Sequence, residues 1–219
     1  MADTERWQAV DDYITGLLVG SDPGLDAALA HNAQAGLPAI DVSPAQGKLL
    51  HLLVRAVGAH RILEIGTLGG YSTIWMARAL PADGQLTTLE LSEDHARVAR
   101  ENLDRAGVGD SVEIRQGPAL ETLPTLVGPF DFVFIDADKA SNTEYLQWAL
   151  QLTHPGSVVV VDNVVRDGKV IDADSTDPAV VGTRRFTEAL AAEPRLSATE
   201  IQTVGAKGYD GFAIAVVLA

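Results

Sequence analysis

With 219 residues, 47% of them apolar, the chain is long enough to bury one α/β core and short for two. A formal net charge of −14, with no basic run longer than Arg184-Arg185, opposes binding to a nucleic-acid backbone, and the absence of cysteine excludes disulfides and thiolate metal sites. The amino terminus, Met1-Ala2-Asp3-Thr4-Glu5, has neither a basic region nor an apolar core, and no apolar run approaches the roughly 18 residues of a membrane span, so a cytoplasmic protein with no membrane contact is expected.

The first sixty residues read as helical. Trp7, Val10, Tyr13, Ile14, Leu17 and Leu18 recur at helical spacing, and Ser21-Asp22-Pro23 opens a second helix. Ser43-Pro44-Ala45-Gln46 opens a third, with a cap residue, proline at the first helical position and a glutamine three residues after the cap; Gly58 ends it. From Arg61 onward strand and helix signals alternate. Arg61–Ile65 is a strand that breaks into Gly66-Thr67-Leu68-Gly69-Gly70, followed by a helix over Ser72–Leu80 and a strand over Gln85–Leu91. Ser92 caps the next helix, Ser111–Arg115 is a short strand, Pro118–Leu126 a short helix and Phe130–Ile135 a strand ending at Asp136. Ser141-Asn142-Thr143-Glu144 reads as a capping box for a helix closed by Pro155-Gly156, and Ser157–Val161 as a central parallel strand. A long polar connection from Val164 to Asp177 has the character of a substrate loop, and Pro178–Glu193 is helical. Leu196–Val204 and Gly211–Leu218 close the sheet as a strand pair.

Five strand-helix units and a final hairpin predict an α/β, Rossmann-like, doubly wound sheet of seven strands, mostly parallel with an antiparallel last strand and helices on both faces. One domain is expected, with residues 1–58 as a helical cap over the active-site edge and 59–219 as the core. Ligands of such sheets bind beyond the carboxyl ends of the strands, where this chain places Glu64 and the glycine turn, Glu90, Asp136-Ala137-Asp138-Lys139 and Asp162-Asn163. Glu90 stands where a nucleotide fold puts an acid to accept from ribose hydroxyls, a feature a nicotinamide-dependent oxidoreductase would share. Leu68 and Tyr71, however, replace the second and third glycines of the dinucleotide fingerprint. If the strands ending at Asp136 and Asp162 are neighbours, about 5 Å apart, two carboxylates and the Asn163 amide can converge on a hard cation such as magnesium. The same residues can instead cap a helix and begin a turn. Lys139, one of four lysines, is a candidate base beside that cation, although a lysine at a helix start is more often solvated. The five histidines, at 31, 51, 60, 95 and 154, lack metal-ligand spacing and read as structural or solvated, while Trp75, Met76 and Trp148 read as core.

From about Val42 onward the chain resembles the cation-dependent class I S-adenosylmethionine O-methyltransferases, which include catechol and caffeoyl-coenzyme A O-methyltransferases. The resemblance is carried by Leu63-Glu64-Ile65-Gly66-Thr67 with Gly70-Tyr71-Ser72, by Phe134-Ile135-Asp136-Ala137-Asp138-Lys139 and by Asp162-Asn163. It implies that Glu64, Gly66, Thr67, Gly70, Tyr71 and Ser72 surround the methionine part of S-adenosylmethionine, with Val42 near its carboxylate and Asp136 also at the cofactor. Further, it implies Glu90 on the ribose, Gly117 and Ala119 at the adenine, magnesium (or manganese or calcium) on Asp136, Asp162 and Asn163, and Lys139 with Asp136 as the catalytic pair. S-Adenosylhomocysteine would be the product, the acceptor a small aromatic vicinal diol, and the assembly a homodimer. One departure stands out: Gly205-Ala206-Lys207-Gly208-Tyr209-Asp210-Gly211 reads as a longer turn than the compact Gly-Asp-Gly of the bacterial and plant branch, which argues against transferring a coenzyme A thioester as acceptor. The rival readings are the nicotinamide-dependent oxidoreductase and an S-adenosylmethionine-binding protein without turnover.

Overall fold

The strands of the computed structural model, which describes residues 3–219, alternate between two cores. Leu63, Ile65, Val133, Ile135, Val159 and Val161 face one way, onto Tyr145 and Phe186; Ile62, Phe132, Phe134, Val158 and Val160 face the other, onto Leu50, Ile74 and Met76. Successive side chains of a strand point to opposite faces, so a run apolar at every position must be covered twice. Helices do this on both sides. Met1 and Ala2, part of the amino-terminal reading, lie outside the described residues.

The elements are α1 (Asp3–Ile14), α2 (Pro23–Gln34), α3 (Pro44–Val57), β1 (Arg61–Ile65), α4 (Tyr71–Ala77), β2 (Gln85–Glu90), α5 (Glu93–Arg105) and β3 (Val112–Gln116). They continue as α6 (Ala119–Thr122), β4 (Phe130–Ile135), α7 (Asn142–Leu152), β5 (Thr153–Asp162), α8 (Pro178–Ala192), β6 (Leu196–Gly205) and β7 (Gly208–Val217). Strand order is β3-β2-β1-β4-β5-β7-β6, with β7 antiparallel to both its neighbours and every other pairing parallel. The expected seven-stranded, mostly parallel sheet is therefore present. Order reverses between β1 and β4, and that switch point is where such sheets open a crevice.

Several caps are as expected. The Ser43 hydroxyl accepts from Gln46 N, Ser92 from His95 N, and Gly58 turns left-handed at φ 66° to end α3. Three local expectations are corrected. Ser141 makes no side-chain cap bond, because the chain enters α7 already turning through a short 3-10 segment at Lys139–Ser141, which leaves the hydroxyl out of place. Pro155-Gly156 lies inside β5 rather than closing α7: the register jumps from Phe130↔Thr153 to Phe132↔Val158, and a proline fits such an irregularity because no ladder donor is needed there. The predicted long turn between the last strands is two residues, Ala206-Lys207, since β6 and β7 stay paired down to Gly205↔Gly208. Asp210 stabilises the adjoining connection, accepting from Val165 N, Arg166 N and Gly211 N.

Candidate active site

The glycine turn after β1 is shaped first by its neighbours. Gly66 has φ 99°, and a Cβ there would lie 2.1 Å from the Asp136 carbonyl oxygen, so only glycine lets the ends of β1 and β4 approach. Asp136 N in turn donates to Ile65 O at 2.8 Å. Gly69 is pressed against Asn32, which a Cβ would meet at 1.9 Å, and Asn102 Nδ2 donates to Gly69 O at 2.8 Å. Leu68 takes φ 50°, an uncommon conformation for a branched residue, and is held in it by Glu90. Glu90 Oε2 accepts from Leu68 N at 2.8 Å and Thr67 N at 3.2 Å, while Oε1 accepts from Ser92 N at 2.9 Å.

Beneath the turn Glu64 is fully buried. Its carboxylate accepts from the hydroxyls of Ser72 at 2.6 Å, Thr73 at 2.5 Å and Thr88 at 2.7 Å. Burial pushes the Glu64 carboxyl up to about 7, against the lowering effect of the three hydroxyls, and the nearby Asp136 adds to the rise. A carboxyl whose folded-state pKa exceeds its unfolded value contributes stability present below the unfolded pKa and lost as pH rises through the folded one. Thermal stability of the free protein should accordingly fall between about pH 4.5 and 7, and Glu64→Gln should flatten that decline; melting temperatures of both proteins at pH 4.5, 6 and 8 check it. Equal slopes would remove Glu64 as the cause.

Above the switch point lies a cavity of about 770 Å³, a size that suits a nucleotide-like molecule with a small partner. The structure gathers onto it Val42, Gly66, Thr67, Tyr71, Ser72 and Glu90, then Gly117 and Ala119, then Asp136, Lys139 and Asn163. Glu64, Gly70 and Asp162 do not line it. Glu64 stands behind Ser72, Gly70 is the left-handed residue that starts α4, and Asp162 is buried at the end of β5. Ile40 and Asp41, from the segment between α2 and α3, also reach the wall.

Strands β4 and β5 are neighbours, as a shared ion would require, with Ile135 opposite Val161, so Asp136 and Asp162 leave adjacent strands at the same level. Burial, the Asp136 charge and only partial relief by Lys139 raise the Asp162 carboxyl to about 7. The Gln46 side chain hydrogen-bonds Asp162, so the third residue after the α3 cap serves the site floor. Asn163 follows with φ 59°, a conformation asparagine tolerates, and its N–H donates to Asp162 Oδ1 at 2.9 Å. Lys139 is 8% exposed, with Nζ 2.8 Å from Asp136 Oδ1. Two carboxylates crowded by burial, with an amide beside them, form an oxygen donor set that fits a hard divalent cation. No group of three or more His, Asp or Glu gathers to hold a metal among the described residues, so Asn163 is needed to complete any such set.

Some cavity residues carried no signal of their own. His95, read as structural, faces the cavity with Nδ1 3.5 Å from Glu90 Oε1. Tyr145 also lines the wall, donating to Asp138 Oδ1 at 2.6 Å; burial and that carboxylate hold its hydroxyl well above the usual range. Arg166, from the loop after β5, lines it as well. Helical spacing places Tyr145 and His95 on a face toward the sheet, but only the folded crossover brings them to its edge.

Residues 23–214 match the family model described as O-methyltransferase. A catechol O-methyltransferase of Niastella koreensis is 56% identical, the match covering 98% of this chain and 99% of that one. Among solved structures, the O-methyltransferase of Bacillus cereus in complex with S-adenosylhomocysteine is 57% identical with a TM-score of 0.96, covering 98% of this chain and 99% of that one. TomG of Streptomyces achromogenes, an O-methyltransferase involved in tomaymycin synthesis and solved with S-adenosylmethionine, is 52% identical with a TM-score of 0.97 over the whole of both chains. The chain thus belongs to the O-methyltransferase family and is an S-adenosylmethionine-dependent enzyme. That membership sets aside the nicotinamide-dependent reading. No helix among the described residues is long and apolar enough to cross a membrane.

Proposed function

We propose that the enzyme transfers the methyl group of S-adenosylmethionine to one hydroxyl of a small aromatic vicinal diol, with a divalent cation, magnesium first, held by Asp136, Asp162 and Asn163. The observation that carries this reading is that Asp136, Asn163 and buried Lys139 line the cavity that also holds the glycine turn, with Asp162 buried at the end of the neighbouring strand β5. The name of the Niastella koreensis relative supports the diol, and the bound molecules of the Bacillus cereus and Streptomyces achromogenes enzymes support the donor.

In this reading Val42 and Ser72 lie at the methionine carboxylate, with Ser72 oriented by Glu64 from behind. Glu90, already fixed by three backbone N–H groups, offers its remaining acceptor capacity to the ribose hydroxyls. Gly117, at φ 136°, and Ala119 leave an open face for the adenine. Gly66, Thr67, Gly70 and Tyr71 set the shape of the turn around the methionine chain. Residues 1–58 act as a cap, for which the reach of Ile40, Asp41 and Val42 to the cavity is the support.

When bound, the cation would make a diol hydroxyl more acidic and fix the position of both oxygens. Lys139 Nζ then receives or stabilises the departing proton, while Asp136 orients Nζ. The cavity holds the oxygen in line with the methyl group, and because positive sulfur and negative oxygen neutralise one another, alignment is the main task of its walls. Transfer of labelled methyl from S-adenosylmethionine to catechol should stop with excess chelator and return with magnesium. Turnover that persists in chelator would exclude the cation.

A homodimer belongs to the same proposal. Tyr13, Leu17 and Leu18 are 70%, 66% and 73% exposed near the end of α1, an apolar group that a second copy would cover. Light scattering on the purified protein should give twice the chain mass; a monomer mass at micromolar concentration would reject it.

A further inference from the structure

The last turns of α2 and α5 and the glycine turn after β1 meet at one joint beside the cavity. The joint is made of two amides, Asn32 at 2% exposure and Asn102 at 1%. Asn102 Nδ2 donates to Asn32 Oδ1 and to Gly69 O, each at 2.8 Å, and Asn32 Nδ2 donates to Asp41 Oδ1 at 2.9 Å. Asp41 lies on the cavity wall, in the segment between α2 and α3. A path of three hydrogen bonds thus runs from the glycine turn to the cap.

Both ends of this path accept, which fixes its direction. Gly69 O is a carbonyl, so Asn102 must turn its NH2 toward it, and the second hydrogen of that NH2 then needs the Asn32 oxygen. That leaves the Asn32 NH2 for the Asp41 carboxylate. Asn102 Oδ1 is used as well, accepting from Arg105 Nη1 at 3.3 Å and standing 2.8 Å from His31 Nδ1. Turning either amide over would set donor against donor inside a buried site, where an unmade hydrogen bond costs most. Burial pushes the Asp41 carboxyl up, against the Asn32 amide and the Lys207 charge, which favour its ionised form.

Residues 38–42 have little else to hold them. Among the described residues, their backbone bonds another element only where Lys207 Nζ reaches Ala39 O at 3.2 Å, while Ile40 N turns back on Pro38 O at 2.9 Å. Ile40 is 68% exposed, and the chain re-enters the core only at Val42. The Asn32 amide is therefore the tie between a weakly held cap segment and the turn that Gly69 belongs to.

We infer that Asn32 is a positioning residue for the methyl donor: through Asn102 and Asp41 it locks the cap segment to the glycine turn, so that both parts of the donor site stand in their binding arrangement before the donor arrives. This rests on the placement of S-adenosylmethionine at the glycine turn proposed above. A protein in which only a fraction of the molecules holds the binding arrangement shows an affinity lowered by that fraction. Loss of the tie acts on donor affinity for this reason. Asp136 and Lys139 come to the cavity from the end of β4, outside the path, so transfer at saturating donor is spared.

Asn32→Ala should weaken S-adenosylhomocysteine binding and raise KM for S-adenosylmethionine by roughly ten- to a hundred-fold, the range of one hydrogen bond to a charged group, with kcat within about three-fold. Asn32→Asp sets two carboxylates face to face and should lose at least as much. Adding Asp41→Asn to it swaps amide and carboxylate, restores one donor between positions 32 and 41 and leaves Asn102 an oxygen to donate to. This swapped pair should return affinity to within about three-fold of the unchanged enzyme. Hydrogen exchange across 37–43 in the free protein should quicken in Asn32→Ala and slow again in the swapped pair. Melting temperatures report which variants fold, and if Asn32→Asp does not, the swapped pair is read against Asn32→Ala. A fall in kcat with donor affinity unchanged, or a swapped pair that binds no better than Asn32→Ala, overturns the inference. Glu90→Ala tests the donor placement separately: undiminished S-adenosylhomocysteine binding there overturns that placement, whereas a loss there with none in Asn32→Ala overturns the tie alone.

Discussion

Replacing Asp136 by alanine is expected to reduce methyl transfer by a factor of roughly 10³ or more while leaving the affinity for S-adenosylhomocysteine within about three-fold of the unchanged enzyme. The side chain is 24% exposed, on the cavity wall, and does two things there. On the proposed reading it supplies one of the two carboxylates of the donor set, and its Oδ1 stands 2.8 Å from Lys139 Nζ. Its backbone does the structural work separately: Asp136 N bonds Ile65 O, and its carbonyl packs against Gly66. Removing the carboxylate therefore leaves the glycine turn standing. Asp136→Asn keeps the shape but loses the charge, and should fall nearly as far. Steady-state rates with excess magnesium, together with calorimetric titration of S-adenosylhomocysteine, separate the two effects. Transfer within ten-fold of the starting rate would mean that neither the cation nor Lys139 depends on Asp136.

The sequence carried the sheet because period-2 and period-3.6 patterns are local, and it carried the shared edge of Asp136, Asp162 and Asn163 because polar residues that end buried strands must emerge there. What it did not carry were contacts between distant segments. The adjacency of Asp136 and Asp162 depends on strand order, which no local pattern encodes, and the pairing of Ile135 with Val161 supplies it. Gly66 looked like a residue reserved for a ligand, whereas the tightest constraint on it is the Asp136 carbonyl. The hairpin was misjudged for a related reason. Glycines at 205, 208 and 211 suggest an irregular turn, yet Gly205 and Gly208 stay paired, and Gly211 is glycine because a Cβ there would meet the Ile201 carbonyl at 2.4 Å. Ser141 shows the limit of capping signals: the pattern was complete, but the 3-10 turn over Lys139–Ser141 took precedence.

Lys139→Ala should lower kcat by about 10²–10⁴, the usual worth of a positioned proton acceptor, with little change in the affinity for the methyl donor. The position of this lysine is set from three directions. Asp136 fixes Nζ, and the 3-10 turn over Lys139–Ser141 fixes the backbone. Helix α8 then presses on that backbone through Gly182, where a Cβ would lie 2.3 Å from the Lys139 carbonyl oxygen. A buried lysine held this closely differs from a solvated one at a helix start, which would have no reason to be 8% exposed beside a carboxylate. Lys139→Arg should not restore activity, because a guanidinium remains protonated throughout the working pH range and cannot take a proton. The deciding measurement uses acceptors of graded acidity. If Lys139 handles the hydroxyl proton, its loss should cost much less with nitrocatechol, whose hydroxyl ionises unaided near neutral pH, than with catechol. An equal loss on both acceptors would assign Lys139 to orienting Asp136 instead, and a catechol rate unchanged by Lys139→Ala would remove it from the reaction.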